Sequence, residues 1–123
     1  MALEIIKLTT VYVHDQDAAL DFYVDKLGME KRIDNVFGPG IRFLVVAPKG
    51  SEAGIVLQAG KQNNRPVGGF TGLVFSSSDV ESTYQELQSR GVPFTEKPTA
   101  QTWGAMQAQF TDLDGNGFVL HSN

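Results

Sequence analysis

Residues 3–13 are rich in Ile, Thr and Val and partly alternate apolar with polar side chains, the period of a strand with one buried face. From Asp17 the spacing changes. Ala18, Leu20, Phe22, Tyr23 and Leu27 recur at helical intervals, with Asp17 placed to cap the helix start and Gly28 to end it. Three short strands are expected next, near residues 30–35, 41–47 and 54–58. They are separated by Phe37-Gly-Pro-Gly40 and Pro48-Lys-Gly-Ser51, whose proline and glycine residues favour turns. The order is βαβββ, and it recurs about 63 residues further on. There the strand lies at 72–76, the helix at 79–90 and the closing strands at 93–96, 106–111 and 118–122. Asp112-Leu-Asp-Gly-Asn116 is expected as a turn, because Asp and Asn bond local backbone and glycine accepts positive φ.

A repeat of this length implies that neither unit buries its apolar face alone, so the two are expected to pack on each other and to place a site where they meet. The chain of 123 residues suffices for one core and is too short for two independent domains. It therefore reads as a single domain of two modules, about 3–59 and 70–122, joined by a polar, glycine-bearing linker at 60–69.

Composition narrows the function. The formal charge of −4, with ten scattered Lys and Arg, lacks the clustered basic face that nucleic acid needs. No apolar run is long enough to cross a bilayer, and the first residues show no basic segment followed by an apolar stretch and a cleavage site, so a cytoplasmic protein is expected. With no cysteine there is no disulfide, thiolate ligand or cysteine nucleophile. Asp112, Asp114 and Asn116 resemble the start of a calcium loop, but the remaining ligands and terminal Glu are missing. Asp15, Asp17 and Asp21 crowd a helix start, where the dipole favours them, and no carboxylate pair is placed for acid–base work. No catalytic residue is assigned. His14 reads as a loop residue, and His121, taken alone, as a surface residue near a chain end.

The paired βαβββ modules, the run Asp15-Gln-Asp-Ala-Ala-Leu-Asp-Phe-Tyr23 leading to Leu27-Gly28, the Trp103-Gly104 pair and Phe110-Thr-Asp-Leu-Asp-Gly-Asn116 resemble the vicinal oxygen chelate superfamily. That superfamily includes glyoxalase I, bleomycin-resistance proteins, fosfomycin-resistance enzymes and extradiol dioxygenases. The resemblance implies an α+β fold in which two curved half-barrel sheets enclose a cavity and helices cover the outer faces. It also implies a two-fold homodimer, sometimes with exchanged modules.

The family's metal enzymes carry ligands on the first and last strands of each module, usually His, Gln or Glu. The matching positions here are Leu8, Val56, Gly72 and Val119, none of which offers a donor, so no metal and no cofactor is expected. Alternation then points Leu8, Thr10 and Tyr12 inward from the first strand and Gly72, Val74 and Ser76 from its counterpart. Val56 with Gln58, and Val119 with His121, share that space. Gln58 and His121 are the leading polar candidates, since histidine changes charge near neutral pH and glutamine donates and accepts without charge. Phe37, Phe43 and Trp103 are candidate flat walls, as bleomycin-type binders use aromatics to hold planar ligands, although Trp103 equally fits a core plug or a dimer contact. Ligand-binding candidates are thus Thr10, Tyr12, Phe43, Gln58, Trp103 and His121. The reading is a metal-free protein that binds a small, partly aromatic molecule in the inter-module cavity. The alternative is a glyoxalase-like lyase or dioxygenase-type enzyme, working through unrecognised metal ligands or through acid–base chemistry of His121 and a tyrosine such as Tyr12.

Overall fold

The computed structural model describes residues 2–123, apart from the side chain of Gln62. Its elements fall into two compact units, one ending at Val67 and the other starting at Gly68. Each holds one four-stranded sheet and one main helix.

In the first unit β1 (Leu8–Val13), β2 (Glu30–Gly38), β3 (Ile41–Ala47) and β4 (Gly54–Ala59) are ordered β1-β4-β3-β2. β1 and β4 run parallel; the other pairs are antiparallel. Parallel neighbours need a crossover, and α1 (Gln16–Asp21), extended by a π-helical turn at Phe22–Lys26, begins it. Val11, Val13, Ala19, Phe22, Tyr23, Leu44, Val46 and Leu57 form the aliphatic and aromatic core beneath this helix. In the π turn Leu27 donates to the Phe22 carbonyl at 3.1 Å. The wider turn rotates less per residue, so the consecutive Phe22 and Tyr23 are both buried.

Two expectations are corrected here. The helix cap is Asp15, whose Oδ1 accepts from the Ala18 N–H at 3.1 Å, and not Asp17. Asp15 has the extended backbone a cap requires, whereas Asp17 lies inside the first turn and takes the Arg42 Nη1 at 2.7 Å. The first strand begins at Leu8 instead of residue 3, because its partner β4 begins at Gly54, opposite Leu8. Leu3, Ile5 and Ile6 lie exposed ahead of it. Within residues 60–69, Gly60 donates to the Val13 carbonyl, Lys61–Asn63 form a 3-10 turn and Asn64 adopts a left-handed conformation, while Gly68 and Gly69 donate to Asn116 Oδ1 and the Gly115 carbonyl of the second unit.

The second unit repeats the plan with β5 (Gly69–Ser77), α2 (Val80–Ser89), β6 (Phe94–Ala100), β7 (Met106–Thr111) and β8 (Asn116–Ser122), ordered β5-β8-β7-β6. Asp79 caps α2 by accepting from the Ser82 N–H at 2.9 Å. Its core is built of rings. Tyr84 of α2 meets Phe94 edge-on at 4.7 Å, and Phe94, Phe110, Phe118 and Phe75 continue the cluster at 5.4–6.0 Å spacings. The expected turn at 112–116 is present. Asp112, buried, accepts from the N–H groups of Asp114 and Asn116 and from Asn116 Nδ2, while Asn116 Oδ1 accepts from the Gly68 N–H. β6 is longer than expected, running through Pro98, which an edge strand tolerates.

Arg42 ties the first unit's layers together. It makes two 2.8 Å hydrogen bonds to the Asp34 carboxylate on β2 and one to Asp17 on α1. The guanidinium holds the Asp34 carboxyl below its ordinary range, chiefly through these hydrogen bonds. A depressed carboxyl stabilises the fold above its unfolded value of about 4, and that contribution disappears as pH falls below it. Arg42→Met should therefore destabilise the protein by about 1–2 kcal/mol at pH 7. In denaturant melts at a series of pH values, the gap from wild type should narrow below about pH 4.

Candidate functional site

Each sheet has one face against its helix and one turned away. In the first unit the strand register sets out the second face. Thr10 lies opposite Val56, Tyr12 opposite Gln58 and Leu8 opposite Gly54, while Val45 lies opposite Val56 and Asn35 opposite Phe43. Four expected candidates, Thr10, Tyr12, Phe43 and Gln58, thus share this face. Thr10 is exposed; the other three are half-buried. Gln58 Nε2 donates to Asn63 Oδ1 at 3.2 Å, and the Arg65 guanidinium sits 5.9 Å over the Tyr12 ring. Gly54 is needed here: a Cβ would stand 2.7 Å from Val45 Cγ1 and 3.2 Å from Leu8 Cδ2, so these two apolar side chains close over it. Phe37, by contrast, is exposed at the far end of β2.

At one end of this unit lies an open recess of about 360 Å³, lined by His14, Asp17, Val36, Gly38, Ile41 and Arg42. A neighbouring one of about 210 Å³ reaches Gln16, Gln58 and Asn63. Gln16 Nε2 donates to the Leu57 carbonyl at 2.8 Å and fixes the floor.

The second unit's corresponding face carries different chemistry. Val74 lies opposite Val119 and Ser76 opposite His121, so all four share the face that alternation predicts. Gly72 departs from it. β5 pairs with β8 at Phe70 and again at Val74, and Gly72 sits between them in a left-handed backbone conformation. Thr71 fills the irregularity by donating from Oγ1 to the Gly117 carbonyl and accepting from the Leu73 N–H. Trp103, in the β6–β7 loop, is 60% exposed and so does not plug the core. It stacks on His121 with ring centroids 4.7 Å apart and planes 17° from parallel. His121 Nδ1 lies 2.8 Å from the Ser122 carbonyl, so in the neutral ring Nδ1 carries the proton and Nε2 is left to accept. Trp103 and His121 are therefore brought together, within the second unit.

Sequence reasoning missed the polar half of this face. Gln107 lies opposite His121, Gln109 opposite Val119, and Glu96 opposite Gln109. Glu96 Oε1 accepts from both Gln107 Nε2 at 3.1 Å and Gln109 Nε2 at 3.3 Å. The signal was present in β7, where Gln107 and Gln109 alternate with the buried Ala108 and Phe110.

The positions matched to the family's metal ligands do not fit a metal. Leu8, Val56, Gly72 and Val119 present carbon and backbone only, and no group of three His, Cys, Asp or Glu converges among the described residues. Nor is any described helix long and apolar enough to cross a membrane.

Comparison with known proteins agrees with this architecture. Residues 5–120 match the family model described as Glyoxalase/Bleomycin resistance protein/Dioxygenase superfamily. The chain belongs to that superfamily. It is 35% identical over 115 residues to the Bacillus subtilis protein YetH, covering 94% of this chain and 95% of that one. The crystal structure of a superfamily member from Sphaerobacter thermophilus superposes with a TM-score of 0.93 at 37% identity, covering 98% of each chain. TnmS3, an antibiotic binding protein from Streptomyces sp. CB03234, superposes with a TM-score of 0.88 at 37% identity, covering 99% of this chain and 98% of that one.

Trp103 is the sole tryptophan, so its fluorescence reports the stack directly. In His121→Ala the indole loses its stacking partner, so the emission intensity should change while the emission maximum stays that of an exposed indole; an unchanged spectrum would place the two rings apart in solution.

Proposed function

We propose that this protein binds and sequesters a small, partly aromatic organic molecule, without a resident metal and without transforming it. The observation that carries this reading is the exposed Trp103 ring lying flat on His121, a ready platform for a planar group. Tyr12, Phe43, Thr10 and Gln58 offer a second set of apolar and hydrogen-bonding contacts on the first unit's sheet. The absence of donors at the family's metal positions supports binding over metal-assisted chemistry. So does similarity to an antibiotic binding protein over nearly the whole chain.

The protein is proposed to be cytoplasmic and to act as one domain assembled into a homodimer. The support for assembly is the pair of edge strands in each sheet and the exposed Leu3, Ile5 and Ile6. Sedimentation should then give twice the chain mass of 13.4 kDa.

The direct test is calorimetric titration with a panel of planar aromatic compounds, beside elemental analysis of tag-free protein after exposure to divalent metals and desalting. Binding in the micromolar range should weaken about tenfold or more in Trp103→Ala, with Gln58→Ala and His121→Ala each costing affinity as well. Stoichiometric retained metal, or turnover of a thiol adduct of an α-keto aldehyde, would instead make it an enzyme.

A further inference from the structure

The two units divide the chain's charge unevenly. Through Val67 there are eight basic and eight acidic side chains; from Gly68 onward there are two basic, Arg90 and Lys97, against six acidic. The whole formal charge of −4 therefore resides in the second unit.

Of those six carboxylates, five are accounted for away from the open face. Asp79 caps α2, Glu81 and Glu86 lie on its exposed side, and Asp112 and Asp114 build the closing turn. Glu96 alone is in the row of side chains that continues from Trp103 and His121. Its strand neighbours place it there: Glu96 on β6 pairs with Gln109, Gln107 pairs with His121 on β8, and both glutamines donate to the same oxygen, Glu96 Oε1. A carboxylate only accepts, which fixes the direction of both amides. Their Nε2 groups turn to Glu96 Oε1, so neither amide oxygen is the group that faces that carboxylate oxygen. Lys97, next along the strand, forms no ion pair with Glu96 among the described residues.

The geometry points to a specific ligand chemistry, and it rests on the binding function proposed above. We propose that this face takes a protonated nitrogen, an amine, amidine or guanidinium, carried by a planar aromatic molecule whose ring stacks at Trp103, with Glu96 as the counter-ion. Two amide hydrogen bonds hold Glu96 in place before the ligand arrives, so little side-chain freedom is lost on binding. From β6 to β8 is two strand spacings, roughly 10 Å, the reach of a bicyclic ring with a short arm.

The test uses three probes of one shape: naphthylethylammonium, naphthylethanol and naphthylpropanoate, which differ in charge at the arm's end. Their binding to the full chain is followed by NMR shifts of the Trp103 indole N–H and of the Gln107 and Gln109 side-chain amides. The ammonium should bind about tenfold more tightly than the alcohol, and the propanoate most weakly. Glu96→Gln keeps the shape and an accepting oxygen; in it the preference of ammonium over alcohol should vanish, while Trp103→Ala should weaken all three alike. Equal binding of ammonium and alcohol with a shifted Trp103 signal would overturn the counter-ion assignment and leave planar binding standing. A preference that survives Glu96→Gln would overturn it too. No response of Trp103 or the amides to any probe at millimolar concentration would remove both this assignment and the binding function it rests on.

Discussion

Each four-stranded sheet has a single helix to cover it, and the rest of the structure follows from that shortage. A sheet has two faces, and alternation along its strands commits half of the side chains to each. In the first unit Val11, Val13, Leu44, Val46 and Leu57 go to the helix side; in the second, Ala108, Phe110, Phe118 and Leu120 do. Whatever stands at the alternate positions receives no cover from the unit's own helix. Those positions are where this protein differs from a generic repeat.

Built on one plan, the two faces have become chemically unlike. The first presents Leu8, Val45, Val56 and Phe43 with a few neutral polar groups, and Gly54 removes a side chain so that the apolar ones close together. The second presents an amide and carboxylate row ending in a tryptophan on a histidine. A symmetric repeat with donors at equivalent positions suits an ion, which has no sides. On the function proposed above, the second face by itself suits a molecule that joins a flat ring to a polar group.

Much of this was legible from the chain because it depends on short-range rules. Period-two and helical spacing located all eight strands and both helices, and the Asp112–Asn116 turn followed from the residues that make it. That Tyr12 shares a face with Gln58, and Ser76 with His121, followed from alternation; which residue stands opposite which is set by the register. Other features depend on partners distant in sequence. Leu3, Ile5 and Ile6 have strand-like propensity but meet no partner strand, which only the β1–β4 register reveals. Asp15 and Asp17 are equally good caps on paper, and Arg42, far along the chain, claims one of them. Glu96 went unnoticed because a single acidic residue is unremarkable until two glutamines on the next strand turn toward it. Trp103 beside a glycine had no sequence signal to separate a buried plug from an exposed platform.

The parallel pairing of the first and last strands gives each unit a direction. Gly54 stands beside Leu8 and Ala59 beside Val13, so the chain enters at one end of the sheet and leaves at the other. Such a unit is a tile with an inlet and an outlet: a copy can be joined to it head to tail without a return passage. Duplicating the gene segment needs only a connector of the length seen between Gly60 and Gly68, and the first copy's fold is undisturbed while the second drifts. That freedom lets two units of one strand order hold one oily face and one charged one.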